Sequence, residues 1–430
     1  MAADVPDFLL YLNQSIMKKL YIALLCLIAL SATAQEPLKL RADAFPWQPD
    51  MQKATVNMAA TVEEMADWDR YPTYETYVAM MQGWAQQYPS LCRLDTIGTS
   101  VQGRLILCMK IANPTNANAV NPEFFYSSTM HGDEVTGYYF MLRLIDTLLS
   151  SYGTSTELTE LVNSIDIYIN PLSNPDGTYR GGNNTVAGAV RYNANNVDLN
   201  RNYPDPFGTA PLNSQQIENT AMIAYVSQHR FVLSANLHGG AEVMNYPWDS
   251  YRTSQRPHPD ADWWKAVGKR FVDTTRTYNS QRFRDVNSAG VIEGGDWYVI
   301  SNGRQDYMNE VHGCHEITME LSSQKTLPSS SLCSYWNWMC HSLINYIAET
   351  PNVPNVNLSV TEADQAYINV FPNPTRRYLY IKSDNLSDAY LIDMVGRSQR
   401  LHSNIIDLGD YPNGIYLLKM GSHVQKVVKY

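Results

Sequence analysis

Short apolar runs alternate with longer amphipathic stretches between Leu91 and Glu349, and this alternation narrows the fold more than any other feature. Leu91–Ile97 and Arg104–Ile111 read as strands around a glycine-containing turn. Phe124–Thr129 and Phe231–Leu237 are apolar strands that run into His131 and His238. Ile165–Ile169 is a short strand before Asn174-Pro175-Asp176-Gly177, a strong turn signal, and Ile317–Leu321 is another strand. Helical patterns lie between them. Tyr74–Tyr88 ends at Pro89, and Val135–Ser150 puts Phe140, Met141, Leu144, Ile145 and Leu148 on one stripe. Ile217–Gln228, Asp262–Thr275 and Ser331–Glu349 complete the set. Strands interleaved with helices predict an α/β domain: a mixed, mainly parallel sheet covered by helices on both faces. Such sheets bind ligands beyond the C-terminal ends of their strands. His131 and His238 fall there, and Glu320 falls near the end of its own strand.

The flanks read differently. Met17-Lys18-Lys19, the apolar run Leu20–Leu30 and Ala32-Thr33-Ala34 have the order of a signal peptide. The run is shorter than the roughly 20 apolar residues a membrane span needs. Residues 1–34 are therefore expected to be a signal peptide with an upstream extension, Met17 being the true start. Residues 35–69 are weakly patterned and read as a lead-in segment, which leaves open whether they inhibit before processing. The α/β domain is expected over 70–350, a Pro/Asn-rich linker over 351–366, and a small all-β sandwich over 367–430. Its strands are Tyr367–Phe371, Tyr378–Lys382, Ala389–Met394, Gly414–Met420 and Val424–Tyr430, with turns at Pro372-Asn373-Pro374 and Pro412-Asn413-Gly414.

The formal charge of −10 argues against a nucleic-acid partner. Beyond the signal stand Cys92, Cys108, Cys314, Cys333 and Cys340, an odd set that leaves at least one thiol unpaired in a monomer. Cys333 and Cys340 lie about 10 Å apart along a helix, too far to bridge. Cys92 and Cys108, on the two hairpin strands, could pair.

Three separated residues have the chemistry of a zinc site. A hydrolytic zinc takes three protein ligands and leaves a position for water. His131 and Glu134 are three apart, so one turn can aim both at one point. That spacing is weak alone, since surface turns carry it too. His238, after an apolar strand and before Gly239-Gly240, supplies a third ligand. Asp198 could orient His131 from behind the ligand set. Glu320 is the candidate general base, the alternative being a buried strand carboxylate paired with a basic side chain. Asn200 and Arg201 can hold a carboxylate. The dense cluster His312-Gly313-Cys314-His315-Glu316 is rejected, since no apolar strand leads into it and nothing downstream completes it. His229, His258, His341, His402 and His423 lack a ligand-like context.

With these stretches in order, residues 70–349 resemble a zinc carboxypeptidase of the carboxypeptidase A type, and Arg191–Asp205 with His238-Gly239-Gly240…Asn245-Tyr246-Pro247 resembles its regulatory branch, the carboxypeptidase D, N and E group. The resemblance implies one zinc ion on His131, Glu134 and His238, with Glu320 as general base. It implies that Asn200 and Arg201 grip the C-terminal carboxylate of a peptide or protein substrate. It implies that Arg191 stabilises the carbonyl oxyanion and that Tyr298 closes over the substrate. Asp249, eleven positions after His238, falls where that branch carries an acidic residue selecting C-terminal Lys or Arg, and Gln305 falls on a side-pocket position. An Asp249 standing in water as a loop carboxylate is the competing expectation. Asp133 departs from the family pattern, which leaves the subsites away from the scissile bond open.

Val370-Phe371-Pro372-Asn373-Pro374, Ile392-Asp393-Met394-Val395-Gly396, Gly414–Lys419 and Val427-Val428-Lys429 resemble the C-terminal sorting domain of the type IX secretion system. This implies secretion through the outer membrane or display at the cell surface, with the secretion machinery as partner. The alternative is a generic β binding module. Two rival functions remain at this point: a zinc deacylase of N-acyl amino acids on a similar scaffold, and a non-catalytic surface binder. The natural substrate and the oligomeric state are not legible.

Overall fold

The computed structural model describes residues 54–113 and 121–354 and, within 369–430, all but 383–385, 387–388, 394–396 and 421–422. The expected signal peptide and its extension, the start of the lead-in segment, most of the linker, and Met394, Val395 and Gly396 lie outside the described residues.

Thr73 starts α1 (Tyr74–Gln87) by accepting the N–H of Thr76 on its hydroxyl at 3.2 Å, and Pro89 cannot continue the helix. The hairpin β1 (Cys92–Thr99) and β2 (Leu105–Ile111) follows. Its register sets Asp95 opposite Cys108 and Cys92 opposite Ile111. The two cysteines are thus three residues out of register, and strand alternation sends them to opposite faces of the sheet. This overturns the expectation that they could pair, and among the described residues Cys92, Cys108, Cys314, Cys333 and Cys340 are all free thiols.

The chain continues through β3 (Glu123–Ser128), α2 (Thr136–Ser151), α3 (Thr156–Ser164), β4 (Asp166–Asn170), α4 (Ile217–Val226), β5 (Phe231–His238) and β6 (Ala241–Tyr246). Then come α5 (Ala261–Tyr278), β7 (Val291–Glu293), α6 (Arg304–Glu310), β8 (His315–Ser322) and α7 (Leu332–Ala348). The eight strands form one sheet in the order β1-β2-β4-β3-β5-β8-β6-β7. Pairs β3–β4, β3–β5, β5–β8 and β6–β7 are parallel, and the other three are antiparallel. The sheet is mixed and mainly parallel, as its alternating pattern predicts.

Both faces are covered. Phe124, Tyr126, Leu233, Leu237, Ile317 and Met319 pack against the face that carries α1, α2, α5 and α7. Phe125, Phe231 and Cys108 pack under Met222 and Tyr225 of α4 and Met308 of α6. Non-local charge partners explain why β6 and α6 are not legible as periodic segments. All six residues of β6 are buried, including Glu242, whose carboxylate accepts from Arg282 at 2.7 Å and from the Phe283 N–H at 2.8 Å. A buried carboxylate breaks the apolar run that marks a covered strand. In α6, Arg304 to Met308 are all buried although three are charged or amide side chains.

The C-terminal residues build two small antiparallel sheets. One holds Tyr378–Lys382 between Asn369–Phe371 and Ile405–Asp407. The other runs Ser398–Arg400, Ala389–Asp393, Gly414–Met420, His423–Lys429. Leu379, Ile381, Leu391, Leu408, Leu418 and Val427 form their shared core. The two three-residue strands Ser398–Arg400 and Ile405–Asp407 are too short to show an alternation. Among the described residues no helix is long and apolar enough to cross a membrane.

Candidate metal centre and active site

Strand β3 delivers His131 through a sharp change of direction. Thr129 sits at φ 60°, a region a β-branched residue rarely enters, and it turns the chain off the sheet. The turn at Asn174 receives it. Asn174 Oδ1 accepts the Gly177 N–H at 2.9 Å, while its Nδ2 donates to the carbonyls of Met130 (3.1 Å) and Arg191 (3.3 Å). Gly132 is required by this crossing, because a Cβ there would stand 2.4 Å from the Gly177 carbonyl carbon. The Asn-Pro-Asp-Gly turn therefore ties the His131 loop to the segment carrying Arg191.

His131 Nδ1 and His238 Nδ1 lie 3.0 Å apart, and Glu134 Oε2 lies 3.0 Å from the first and 2.8 Å from the second. All three side chains are buried, and among the described residues they are the one group whose ligating atoms converge this way. His131 Nε2 faces Asp198 Oδ1 at 3.1 Å. A proton on that nitrogen leaves Nδ1 with a bare lone pair, pointing at the same place as the Glu134 oxygen. Burial opposes charge on His131, but Glu134 and Asp198 outweigh it and raise its pKa. Burial likewise works to raise Glu134, but the two imidazoles dominate and hold it well below the usual carboxylate range. Burial pushes His238 down to about 4, so it stays neutral, the form that ligates. Lone pairs from two imidazoles and one carboxylate, gathered in a buried pocket, fit a zinc ion better than the all-oxygen shells of calcium or magnesium.

Glu320 reaches the site from β8. In the parallel β5–β8 register it stands directly opposite His238. Burial, and then the charge of Glu134, hold its carboxyl well above the usual range, with Lys325 and Arg191 pulling the other way. Its Oε2 is buried with no hydrogen-bond partner among the described residues. The alternative of a strand carboxylate paired with a basic side chain fits Glu316 instead. Glu316 accepts from Arg304 Nε at 3.0 Å, from Ser234 Oγ at 2.8 Å and from Asn236 Nδ2 at 3.0 Å, all in the core. His315 Nε2 lies 3.0 Å from Asp260 Oδ2, so the dense His312–Glu316 stretch splits among unrelated partners.

Asp198 connects more groups than the sequence suggests. One oxygen meets His131 and accepts the Asn200 N–H at 2.9 Å, and the other takes Arg191 Nε at 2.9 Å and its NH2 group at 2.8 Å. Arg191 NH1 is 3.6 Å from Glu134 Oε1, which puts this guanidinium beside the convergence point. Asn200 Oδ1 accepts the Arg304 N–H at 2.9 Å, so only the donor end of its amide remains for another acceptor. Arg201 donates to the Asn200 carbonyl at 2.8 Å. Burial and then Glu320 raise the Tyr298 phenol, with Arg201 opposing, so this hydroxyl shares the same electrostatic field.

Asp249 is 4 % exposed, which overturns the expectation of a loop carboxylate in water. Gln305 Nε2 donates to its Oδ1 at 2.9 Å, while Gln305 Oε1 accepts the Thr318 N–H at 2.6 Å, fixing the direction of the amide. Lys325 is a residue the sequence reading missed. Its Nζ lies 3.1 Å from Asp133 and 3.2 Å from Glu134 Oε1, and its side chain runs over Gly240, where a Cβ would stand 3.4 Å from its Cγ. No local pattern marks it, because its partners lie almost 200 positions upstream.

A family description, zinc carboxypeptidase, matches residues 77–342. The chain belongs to the zinc carboxypeptidase family. A second description, secretion system C-terminal sorting domain, matches residues 369–430. Carboxypeptidase M of Mus musculus is 36% identical over 300 residues, covering 65% of this chain and 66% of that protein. Carboxypeptidase D of Anas platyrhynchos is 34% identical over 291 residues, covering 65% of this chain but only 21% of that protein. Among solved structures, thrombin activatable fibrinolysis inhibitor superposes with a TM-score of 0.58 at 17% identity, covering 67% of this chain and 76% of that one. Carboxypeptidase A from Helicoverpa armigera gives 0.56 at 20% identity, covering 67% and 75%. At such identities the superpositions speak for the fold alone. This zinc carboxypeptidase scaffold places its convergent imidazoles at the C-terminal ends of β3 and β5, where a mainly parallel sheet binds ligands.

Proposed function

We propose that this chain is a secreted zinc metallocarboxypeptidase that removes C-terminal residues from peptides or proteins and prefers Lys or Arg. The observation that carries this reading is the meeting of His131, Glu134 and His238, with Glu320 in register beside His238 and its Oε2 without a hydrogen-bond partner among the described residues. His131, Glu134 and His238 would hold one zinc ion. When bound, zinc supplies an acidified water and polarises the scissile carbonyl.

The chain's own residues do the rest. Glu320 takes a proton from the attacking water as the new C–O bond forms, then gives it to the amine nitrogen as the C–N bond breaks. The burial that raises this carboxyl makes it a stronger base once ionised, and the positive charge of a bound zinc would favour that ionised form. Arg191 stands where negative charge grows on the carbonyl oxygen. Arg201 and the amide donors of Asn200 grip the substrate's terminal carboxylate, and an internal peptide bond would leave that guanidinium without its partner. Tyr298 covers the bound residue, and Asp249 with Gln305 receives its side chain. The proposed layout keeps this machinery within 70–350. The sorting-domain match at 369–430 supports export past the outer membrane, with the secretion machinery as partner.

A C-terminal residue scan with a peptide library, with and without chelator, tests the reading. Chelator-sensitive release of terminal Lys and Arg is expected. Cleavage of simple acylated amino acids in preference to peptides would favour the deacylase, and full activity in chelator would sink the zinc assignment.

A pH prediction follows from Asp249. Burial and the adjacent Asp306 hold its carboxyl well above the usual range, with Arg201 opposing. A protonated Asp249 pairs poorly with a guanidinium, so binding of basic residues strengthens as pH rises and the carboxylate forms. The ratio of kcat/KM for a C-terminal Arg substrate over its Ala counterpart is expected to climb with pH, by up to about tenfold per unit while Asp249 is mostly protonated. Taking the ratio cancels effects of Glu320, which both substrates share. A flat ratio would separate Asp249 from the pocket.

A further inference from the structure

Three consecutive residues of α6 have three different tasks around one pocket wall. Arg304 anchors the helix to β8 through its buried pairing with Glu316. Gln305 donates to the Asp249 carboxylate. Asp306, 1 % exposed, does neither. Its Oδ1 accepts the backbone N–H of Asp249 and its Oδ2 that of Ser250, both at 2.8 Å.

One carboxylate thus binds two successive backbone donors of the loop that carries Asp249. Bonds from N–H to an ionised acceptor are short and strong, and two parallel ones fix orientation as well as distance. The remaining contacts of Asp249 leave it little freedom. Its carbonyl accepts the Ile300 N–H at 3.0 Å. Its Oδ1 occupies the space a side chain at Gly294 would need, 1.9 Å from the position of that Cβ. Without Asp306, two buried N–H groups would lose their acceptor, and the loop would move to find another. Binding of a cationic side chain depends on where the opposing charge stands, and a displacement near 1 Å is already costly.

We propose that Asp306 is a positioning residue for side-chain specificity: by gripping the backbone at Asp249 and Ser250, it fixes the place of the Asp249 charge and so sets the preference for basic C-terminal residues without touching substrate. This inference rests on the reading of Asp249 as the side-chain acceptor.

The test uses the full chain loaded with zinc, as wild type, Asp249→Asn, Asp306→Asn, the double variant and Asp306→Glu. Each is assayed on hippuryl-type dipeptides ending in Arg or Ala. Assayed at a pH on the plateau of the Arg-over-Ala ratio, where Asp249 is ionised with or without the Asp306 charge beside it, Asp306→Asn is expected to raise KM for the Arg substrate about tenfold, with kcat and the Ala constants within about threefold of wild type. In the Asp249→Asn background it should add no further loss of discrimination. Asp306→Glu, which keeps the charge but displaces it by one methylene, should fall between wild type and Asp306→Asn, and it carries the same comparison should the Asn variant not fold. Equal losses on both substrates, or a loss of discrimination that persists without Asp249, would overturn the proposal. If Asp249→Asn leaves the preference unchanged, the pocket reading itself fails. If Asp249→Asn abolishes the preference and neither Asp306 variant alters it, only the role given to Asp306 fails.

Discussion

Glu320→Gln is expected to lower kcat by about 10²–10⁴-fold while the purified protein keeps its zinc. The amide has the same shape as the carboxylate but cannot take up and return a proton. None of the converging atoms of His131, Glu134 and His238 depends on Glu320 for a hydrogen bond, so the donor set is left intact. Burial already opposes the ionised form of Glu320, so a neutral amide should not destabilise the fold. The checks are metal content by elemental analysis, thermal melting, and kcat with KM on a C-terminal Arg peptide. Loss of activity together with zinc would assign Glu320 to metal binding instead, and near-normal turnover would remove it from the chemistry.

The second large effect comes from the other glutamate of the same strand. Glu316→Ala should cost about 3–5 kcal/mol of stability, because it leaves the Arg304 charge buried without its counter-ion. Both members of that pair are 0% exposed, and Ser234 and Asn236 lose an acceptor as well. Urea denaturation reads the loss as a lower midpoint at unchanged slope. Replacing both members by apolar residues, Arg304→Met with Glu316→Leu, should recover most of it, since no unpaired charge then remains. A single variant as stable as wild type would mean that Arg304 finds another partner or reaches water.

These two predictions concern residues four apart, on one face of one strand, in the stretch Glu316-Ile317-Thr318-Met319-Glu320. Ile317 and Met319 alternate onto the apolar face, and both glutamates point the other way. Nothing local separates them. What does is the arrival of Arg304 over Glu316, and of His238 beside Glu320. The same limit hid β6 and α6. A buried carboxylate looks like a surface residue until the arginine that neutralises it is in place.

Legible in the sequence alone were the strand and helix alternation, the donor residues placed just after apolar strands, and the spacing that lets His131 and Glu134 share a target. Each depends on backbone periodicity and on the chemistry of single side chains, which a linear chain displays directly. The tertiary structure alone decided that Cys92 and Cys108 face opposite sides, that Asp249 is buried rather than solvated, that Lys325 meets Asp133 and Glu134, and that Asp306 accepts the backbone N–H groups of Asp249 and Ser250. Those facts are pairings across long stretches of chain. Burial makes charge pairing and hydrogen bonding obligatory, yet the partner is chosen by how the sheet, helices and loops stack, which no local pattern records.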